Sequence, residues 1–371
     1  MAEVVSQRQL NRTTLQRQFL LERTDRPALE VVAHLVGLQA QEPIDPYLAM
    51  WSRLADFDPD AFGARLTDRS VVRIVVMRGT IHLVTADDCL FLRPLIQPVL
   101  DRELRSHQQF KAALATMDLA PVLAFARPLL SETPLPGTKL RAAIAERFPD
   151  LDAGAAAYAC RNHLALVQVP PRGVWGQTLQ VTNTPAEAWL GRPLRSDATV
   201  DEMVVRYLAA FGPSSPADAS AWSGLTGMRE VFDRLAPLLR TYRNEAGREL
   251  FDLAEAELAD PDLPAPCRFL PEYDNVLLSH RDRTRFFPTS SSTQFDDARF
   301  FKGTATHDGL VVATWWIERD KEHRSSTLHV SPTVRLTRPA RHGLEEEAQR
   351  MVAFREPGAE HRSVDVGRDP V

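Results

Sequence analysis

The sequence predicts an α+β protein: three tandem winged helix-turn-helix units followed by a small β-rich C-terminal domain. Three observations carry this. A pattern of two or three short helices, then two short strands joined by a turn, recurs three times before residue 262. A proline-rich stretch, Asp260-Pro261-Asp262-Leu263-Pro264-Ala265-Pro266, follows the third repeat. Beyond it the composition shifts to β-branched runs, and 371 residues exceed what a single hydrophobic core organises. The resulting boundaries are 1–100, 101–195, 196–262 and 263–371.

The first repeat opens with a helix over residues 10–21, where Leu15 and Phe19 share a face. A second helix over 28–38 starts behind Pro27, which suits a helix entry. Helices over 46–54 and 58–66 follow, the latter opened by an Asp-Pro-Asp signal. The β-branched run 71–77, the turn Arg78-Gly79 and residues 80–84 form a hairpin with a basic tip. The second repeat has helices over 119–130, 139–148 and 154–164, then strands over 164–169 and 178–182, with Pro170-Pro171-Arg172-Gly173 between them. The third has helices over 200–211, 216–222 and 228–235 and a hairpin of 238–243 and 249–253. In the C-terminal part, 267–278 and 300–317 are strand-like, with a hairpin signal at Asp308-Gly309. Residues 289–297 read as a polar loop, 339–354 as one helix, and the last dozen residues as a fraying end.

The formal net charge of −5 argues at first sight against a nucleic-acid partner, but only four of the 44 basic residues are lysines, which leaves 40 arginines. Arginine makes planar, bidentate contacts with phosphates and base edges. A GC-rich coding sequence produces the same bias, so the placement of the arginines decides, not the net charge. No apolar run approaches 18 residues and residues 1–15 hold no hydrophobic signal core, so the expectation is a cytoplasmic protein without a membrane span. Cys89, Cys160 and Cys267, far apart and odd in number, read as buried thiols.

The phosphate loop, the dinucleotide fingerprint, H-E-x-x-H, the G-x-S-x-G elbow and the deaminase zinc pattern are all missing. None of the four lysines lies in an apolar segment that would activate it as a nucleophile. What stands out is Leu35-Val36-Gly37-Leu38-Gln39-Ala40-Gln41-Glu42-Pro43, two amides behind an apolar helix and ahead of a proline that ends it. In an extended link Gln39 and Gln41 share a side and hold a water or ligand between them. Capping or plain surface polarity explains the same spacing.

The strings HLVGLQAQEPIDPYLAMWSRL, VMRGTIHLVTADDC and FLPEYDNVLLSHRDR extend the pattern. In this order, between Arg8 and Ile317, the chain closely resembles the winged-helix alkylpurine DNA glycosylases. This is the AlkZ/YcaQ-like group, which includes self-resistance enzymes that unhook azinomycin-type interstrand crosslinks. The resemblance implies three winged helices around a C-shaped, concave DNA-binding surface, and a catalytic Gln-x-Gln motif, here Gln39 and Gln41. It implies double-stranded DNA carrying alkylated or crosslinked purines as the partner, a monomeric enzyme, and neither cofactor nor metal. A purine alkylated at guanine N7 is already cationic and leaves without a protein acid, so two neutral amides that position water suffice.

On this reading Arg78 contacts phosphate and His82 lies near the lesion, the alternative for His82 being a structural role beneath the hairpin. Glu272, Asp274 and Asn275 are accessory groups behind the site or a plain strand-to-turn motif. Arg281, Arg283 and Arg285 alternate along one face of a strand and clamp DNA, unless that strand is only a solvated one. The arginines gather on the concave face and acidic runs such as 345–347 face away. A shallow, exposed site suits bulky adducts better than a tight pocket. Two other readings stay open: a non-enzymatic winged-helix regulator reading the major groove with a helix such as 156–164, and a protein-binding scaffold.

Overall fold

The computed structural model describes residues 3–287, 302–322 and 324–370. The chain begins with β1 (Glu3–Val5) and α1 (Gln7–Arg17), whose first turn is closed by the Ser6 side chain accepting from the Gln9 amide. Then come α2 (Ala28–His34), the two-residue strand β2 (Leu38–Gln39), α3 (Asp45–Arg53) and α4 (Pro59–Thr67). The hairpin of β3 (Val71–Val75) and β4 (Ile81–Thr85) follows as expected, with Met77–Gly79 turning its tip.

Next the sequence patterns missed α5 (Ala86–Leu95), α6 (Gln97–Ser106) and α7 (Lys111–Thr116), which lead into the expected α8 (Leu119–Glu132), α9 (Gly137–Arg147) and α10 (Ala153–His163). After β5 (Leu166–Gln168) the strand expected over 178–182 lies at β6 (Asn183–Pro185) instead. The Leu135–Asn183 bridge holds β6 there by two backbone hydrogen bonds.

Past α11 (Ala186–Leu190), the helices α12 (Val200–Phe211), α13 (Pro216–Ser223) and α14 (Met228–Leu235) match the predicted third repeat closely. Ser215 and Asp218 form a reciprocal capping box on α13. The hairpin is β7 (Leu239–Asn244) with β8 (Glu249–Leu253). In the C-terminal part β9 (Arg268–Leu270) gives way to the short α15 (Asn275–Leu278), so only the start of 267–278 is strand. Then come β10 (Gly303–His307), β11 (Leu310–Arg319), β12 (Ser325–Pro332), α16 (Arg338–Arg355) and β13 (His361–Val366). The end expected to fray pairs in parallel with β12, from Ser325 opposite His361 to Val330 opposite Val366. The loop expected over 289–297 lies outside the described residues.

Among the described residues the strands make three sheets, ordered β1-β7-β8, β2-β4-β3-β5-β6 and β13-β12-β11-β10-β9. Strands from the first two repeats therefore share one sheet, with Arg73 opposite Gln168 and Ile74 opposite Val167. One core runs from Val31 through Val84 and Val167 to Leu235 and joins all three repeats. The β9–β13 sheet and α16 enclose another, into which α3 inserts Leu48. The segment between β2 and α3, which holds Gln41, thus bridges the two cores. No helix among the described residues is long and apolar enough to cross a membrane. Cys89, Cys160 and Cys267 are buried free thiols.

Candidate active site

The two glutamines are set by a tight turn whose second residue must be glycine. Val36 and Gly37 both take positive φ, 57° and 94°, between α2 and β2. A Cβ on Gly37 would stand 2.6 Å from Val84 Cγ1. Asn275 donates from Nδ2 to the Gly37 carbonyl at 2.8 Å and fixes the turn from the far side. Beyond it Gln39 sits opposite His82 at the edge of the sheet. The Ala40 amide donates to the Ile81 carbonyl at 2.8 Å, and Arg73 donates from Nη2 to the Ala40 carbonyl at 2.9 Å. The residue between the glutamines is therefore held on both sides.

The two amides occupy different surroundings. Gln39 is buried and Gln41 is exposed. Arg78, at positive φ in the hairpin tip, folds back and donates from Nη2 to Gln39 Oε1 at 2.6 Å and from Nη1 to the Trp222 carbonyl at 2.5 Å. Burial pushes its pKa down to about 10, which leaves it cationic at neutral pH. The Gln39 carbonyl is thus spent on Arg78, and its Nε2–H groups are the hydrogen-bonding side left to a substrate. Arg78 is not the phosphate contact expected of a basic tip; it ties the first hairpin to α13 and orients Gln39.

The sequence model of the family described as DNA glycosylase AlkZ-like matches residues 32–354. The chain belongs to the AlkZ-like DNA glycosylase family. Over 335 residues it is 26% identical to an interstrand DNA cross-link repair glycosylase of Streptomyces sahachiroi, across 84% of this chain and 88% of that protein. The solved structure of Streptomyces sahachiroi DNA glycosylase AlkZ shares its α+β fold, with a TM-score of 0.79 and 23% identity over 98% of this chain and 100% of that one. The regulator and scaffold readings fall away, and DNA is the substrate.

Several residues expected to meet DNA in this AlkZ-like enzyme do other work. His82 is buried, and its Nδ1 donates to the Thr80 carbonyl at 3.0 Å. Burial, with Arg78 adding repulsion, pushes its pKa down to about 3, so it is neutral and supports the hairpin. Residues 281–285 do not form a strand: Asp282 caps a single 3-10 turn, Arg283–Arg285, by accepting from the Thr284 amide. Arg285 is buried and donates to Thr14 Oγ1, His280 Nε2 and the Pro213 carbonyl at 2.8–2.9 Å. It joins α1 to the third repeat and has no path to phosphate. Arg281 and Arg283 are exposed.

The Pro271–Asn275 stretch divides its roles. Asp274 is buried, caps α15 and takes a bidentate pair from Arg53 at 2.9 and 2.8 Å. Asn275 holds the motif turn, and Glu272 is half-buried, its pKa raised by burial and by Glu42. The arginine excess also serves the interior, since Arg12, Arg53, Arg73, Arg93, Arg268 and Arg285 are all buried. Of the acidic run 345–347, Glu347 is buried against Arg23 and Arg350 and does not face solvent. Among the described residues no three His, Cys, Asp or Glu side chains are gathered for a metal ion.

Arg73 and Asp45 went unrecognised in the sequence. Arg73 carried a readable signal, a lone charge inside the apolar strand Val71–Val75.

Proposed function

We propose that this AlkZ-like enzyme hydrolyses the N-glycosidic bond of cationic alkylated purines, N7-alkylguanines above all, in double-stranded DNA, and that it unhooks interstrand crosslinks built on such bases. The observation that carries this is the unequal pair of amides. Gln39 is locked by Arg78 with its N–H groups as donors, while Gln41 stands exposed with its carbonyl available to accept from water. An amide is too weak a base to ionise water, but it can hold one in line with C1′ as the base departs. A cationic purine supplies its own leaving ability, so orientation and the amide dipole suffice. The reaction is monofunctional: the C1′–N bond breaks with its electron pair going to the cationic base, which leaves neutral, water adds to C1′, and the proton it sheds passes to bulk solvent.

The name of the Streptomyces sahachiroi relative supports the crosslink substrate. On this reading 1–100, 101–195 and 196–262 act as three winged helices lining a C-shaped surface, 263–371 closes one end, the protein works as a monomer, and Arg281 and Arg283 approach the backbone. The test is base release from duplex DNA carrying 7-methylguanine, 3-methyladenine or an N7–N7 crosslink. Release of cationic purines, with undamaged guanine untouched, is expected. A folded, DNA-binding protein that frees none of them sinks the proposal.

Arg78→Ala follows from the same geometry. It leaves Gln39 Oε1 and the Trp222 carbonyl without their cation, and a hydrogen bond to a charged group contributes about 1.5–3 kcal/mol. The expected outcome is a kcat at least about tenfold lower with KM for lesion DNA nearly unchanged, because Arg78 positions Gln39 and does not hold phosphate. Arg78→Lys does not rescue, since an ammonium cannot bridge both oxygens as the planar fork does. A rise in KM with kcat unchanged would instead restore the phosphate role.

A further inference from the structure

A cavity of about 190 Å³ lies directly beside the glutamine motif, between its exit and the C-terminal sheet. Glu42, the residue after Gln41, lines it together with Asp45, Glu272, Trp315, Trp316 and Lys302. Its volume falls below the roughly 300–1,000 Å³ of drug-sized sites, which suits one planar ring system. Asp45 is only 3% exposed, and its Oδ2 has no hydrogen-bond partner among the described residues. Most buried side-chain polar atoms are satisfied, and of the three carboxyl oxygens left without a hydrogen-bond partner among the described residues, Asp45 Oδ2, Asp88 Oδ2 and Glu347 Oε2, the first belongs to a residue that lines this cavity, where a ligand can supply the partner.

We propose that this cavity receives the purine ring of the lesion, and that Asp45 and Glu272 read the O6, N1–H and N2–H₂ edge of a guanine. This deepens the glycosylase reading, on which it rests for the source of the base. The position suits it: a base whose glycosidic bond lies at Gln41 is one residue away from Glu42, about 3.8 Å along the chain. Enzymes acting on a base that leaves the helix read it by its Watson–Crick edge and by contact with aromatic side chains.

The two acids complement that edge. Burial above all, with Glu272 and Glu42 adding repulsion, pushes the Asp45 pKa up to about 8. At neutral pH its carboxyl is mostly protonated and donates to O6, while the half-buried Glu272 accepts from N1–H and N2–H₂. The face of Trp316 already holds a cation, the Lys302 ammonium 3.7 Å from the ring centroid. A planar purine stacks on the same indole face when the exposed lysine swings out.

The test uses the whole protein and free 7-methylguanine, with tryptophan fluorescence and equilibrium dialysis as readouts. Saturable binding is expected, and 1,7-dimethylguanine, which carries a methyl in place of N1–H, binds at least about tenfold more weakly. Asp45→Ala and Glu272→Gln each weaken binding by at least about tenfold, whereas Asp45→Asn, which keeps a donor, stays within about threefold of the parent. Melting curves show which variants remain folded, and the two-base comparison on the parent protein needs no variant. Absence of saturable binding, equal binding of 1,7-dimethylguanine, or a folded Asp45→Ala that binds like the parent overturns the inference. Base release from DNA without binding of the free base sinks this inference alone. Binding without release from any lesion sinks the glycosylase substrate reading alone.

Discussion

Gln41→Ala is expected to slow 7-methylguanine release from duplex DNA about 10²–10³-fold, the range seen when one preorganised polar group is removed from an active site. The substitution is clean because the backbone on either side is held independently of the side chain. The Ala40 amide is bound to the Ile81 carbonyl, the Ala40 carbonyl to Arg73, and Glu42 accepts from the Asp45 amide at 3.2 Å. Gln41 itself is exposed, so its loss leaves no cavity and no buried orphan, and the melting temperature stays put. DNA affinity, set by phosphate contacts elsewhere, stays within about twofold. Gln39→Ala behaves differently: it lowers the rate and also destabilises, since the buried Arg78 loses one of its two hydrogen-bond partners and keeps the Trp222 carbonyl. Single-turnover base release and melting curves on the two variants separate these effects. A Gln41→Ala enzyme with parental single-turnover rates places the water elsewhere.

How much of this was readable beforehand depended on whether the signal was local. Helices with an apolar stripe, such as Val200–Phe211, capped by Thr199, and Met228–Leu235, were found to the residue because their hydrogen bonds are internal. The strand at Asn183–Pro185 was misplaced because its register is set by β5 and by a bridge to Leu135, nearly fifty residues away, and β13 went unseen because its ladder is made with β12, about 36 residues earlier in the chain. The glutamine motif was legible as a pair of amides, but their inequality was not. It takes Arg78, 39 residues further on, to occupy one carbonyl. The same limit explains Arg285, a basic residue in a polar run that only the folded chain reveals as buried between Thr14, Pro213 and His280. Arginine counts say how many cations there are; whether each faces carboxylate, carbonyl or water is a tertiary fact.

Asp274→Ala is expected to cost about 3–5 kcal/mol of stability. Both partners of the Arg53–Asp274 pair are fully buried, and the contact is bidentate at 2.9 and 2.8 Å. With the carboxylate gone, Arg53 keeps, among the described residues, the Ala49 carbonyl at 3.0 Å and the Gln18 side chain at 3.3 Å, neither of them charged. The α15 cap goes with it. Urea denaturation measures the loss, and Arg53→Met/Asp274→Leu, which removes both charges while filling the volume, should recover most of it. The pair also bears on catalysis through its neighbour. Asn275 holds the Gly37 carbonyl, so loosening residues 271–275 loosens the turn that presents Gln39 and Gln41. The single variant should therefore keep its choice of lesion at low temperature and lose activity well below the parent's melting point, while the double variant restores both. If the single variant melts within a degree of the parent, the buried pair is not what fastens the C-terminal segment to the motif.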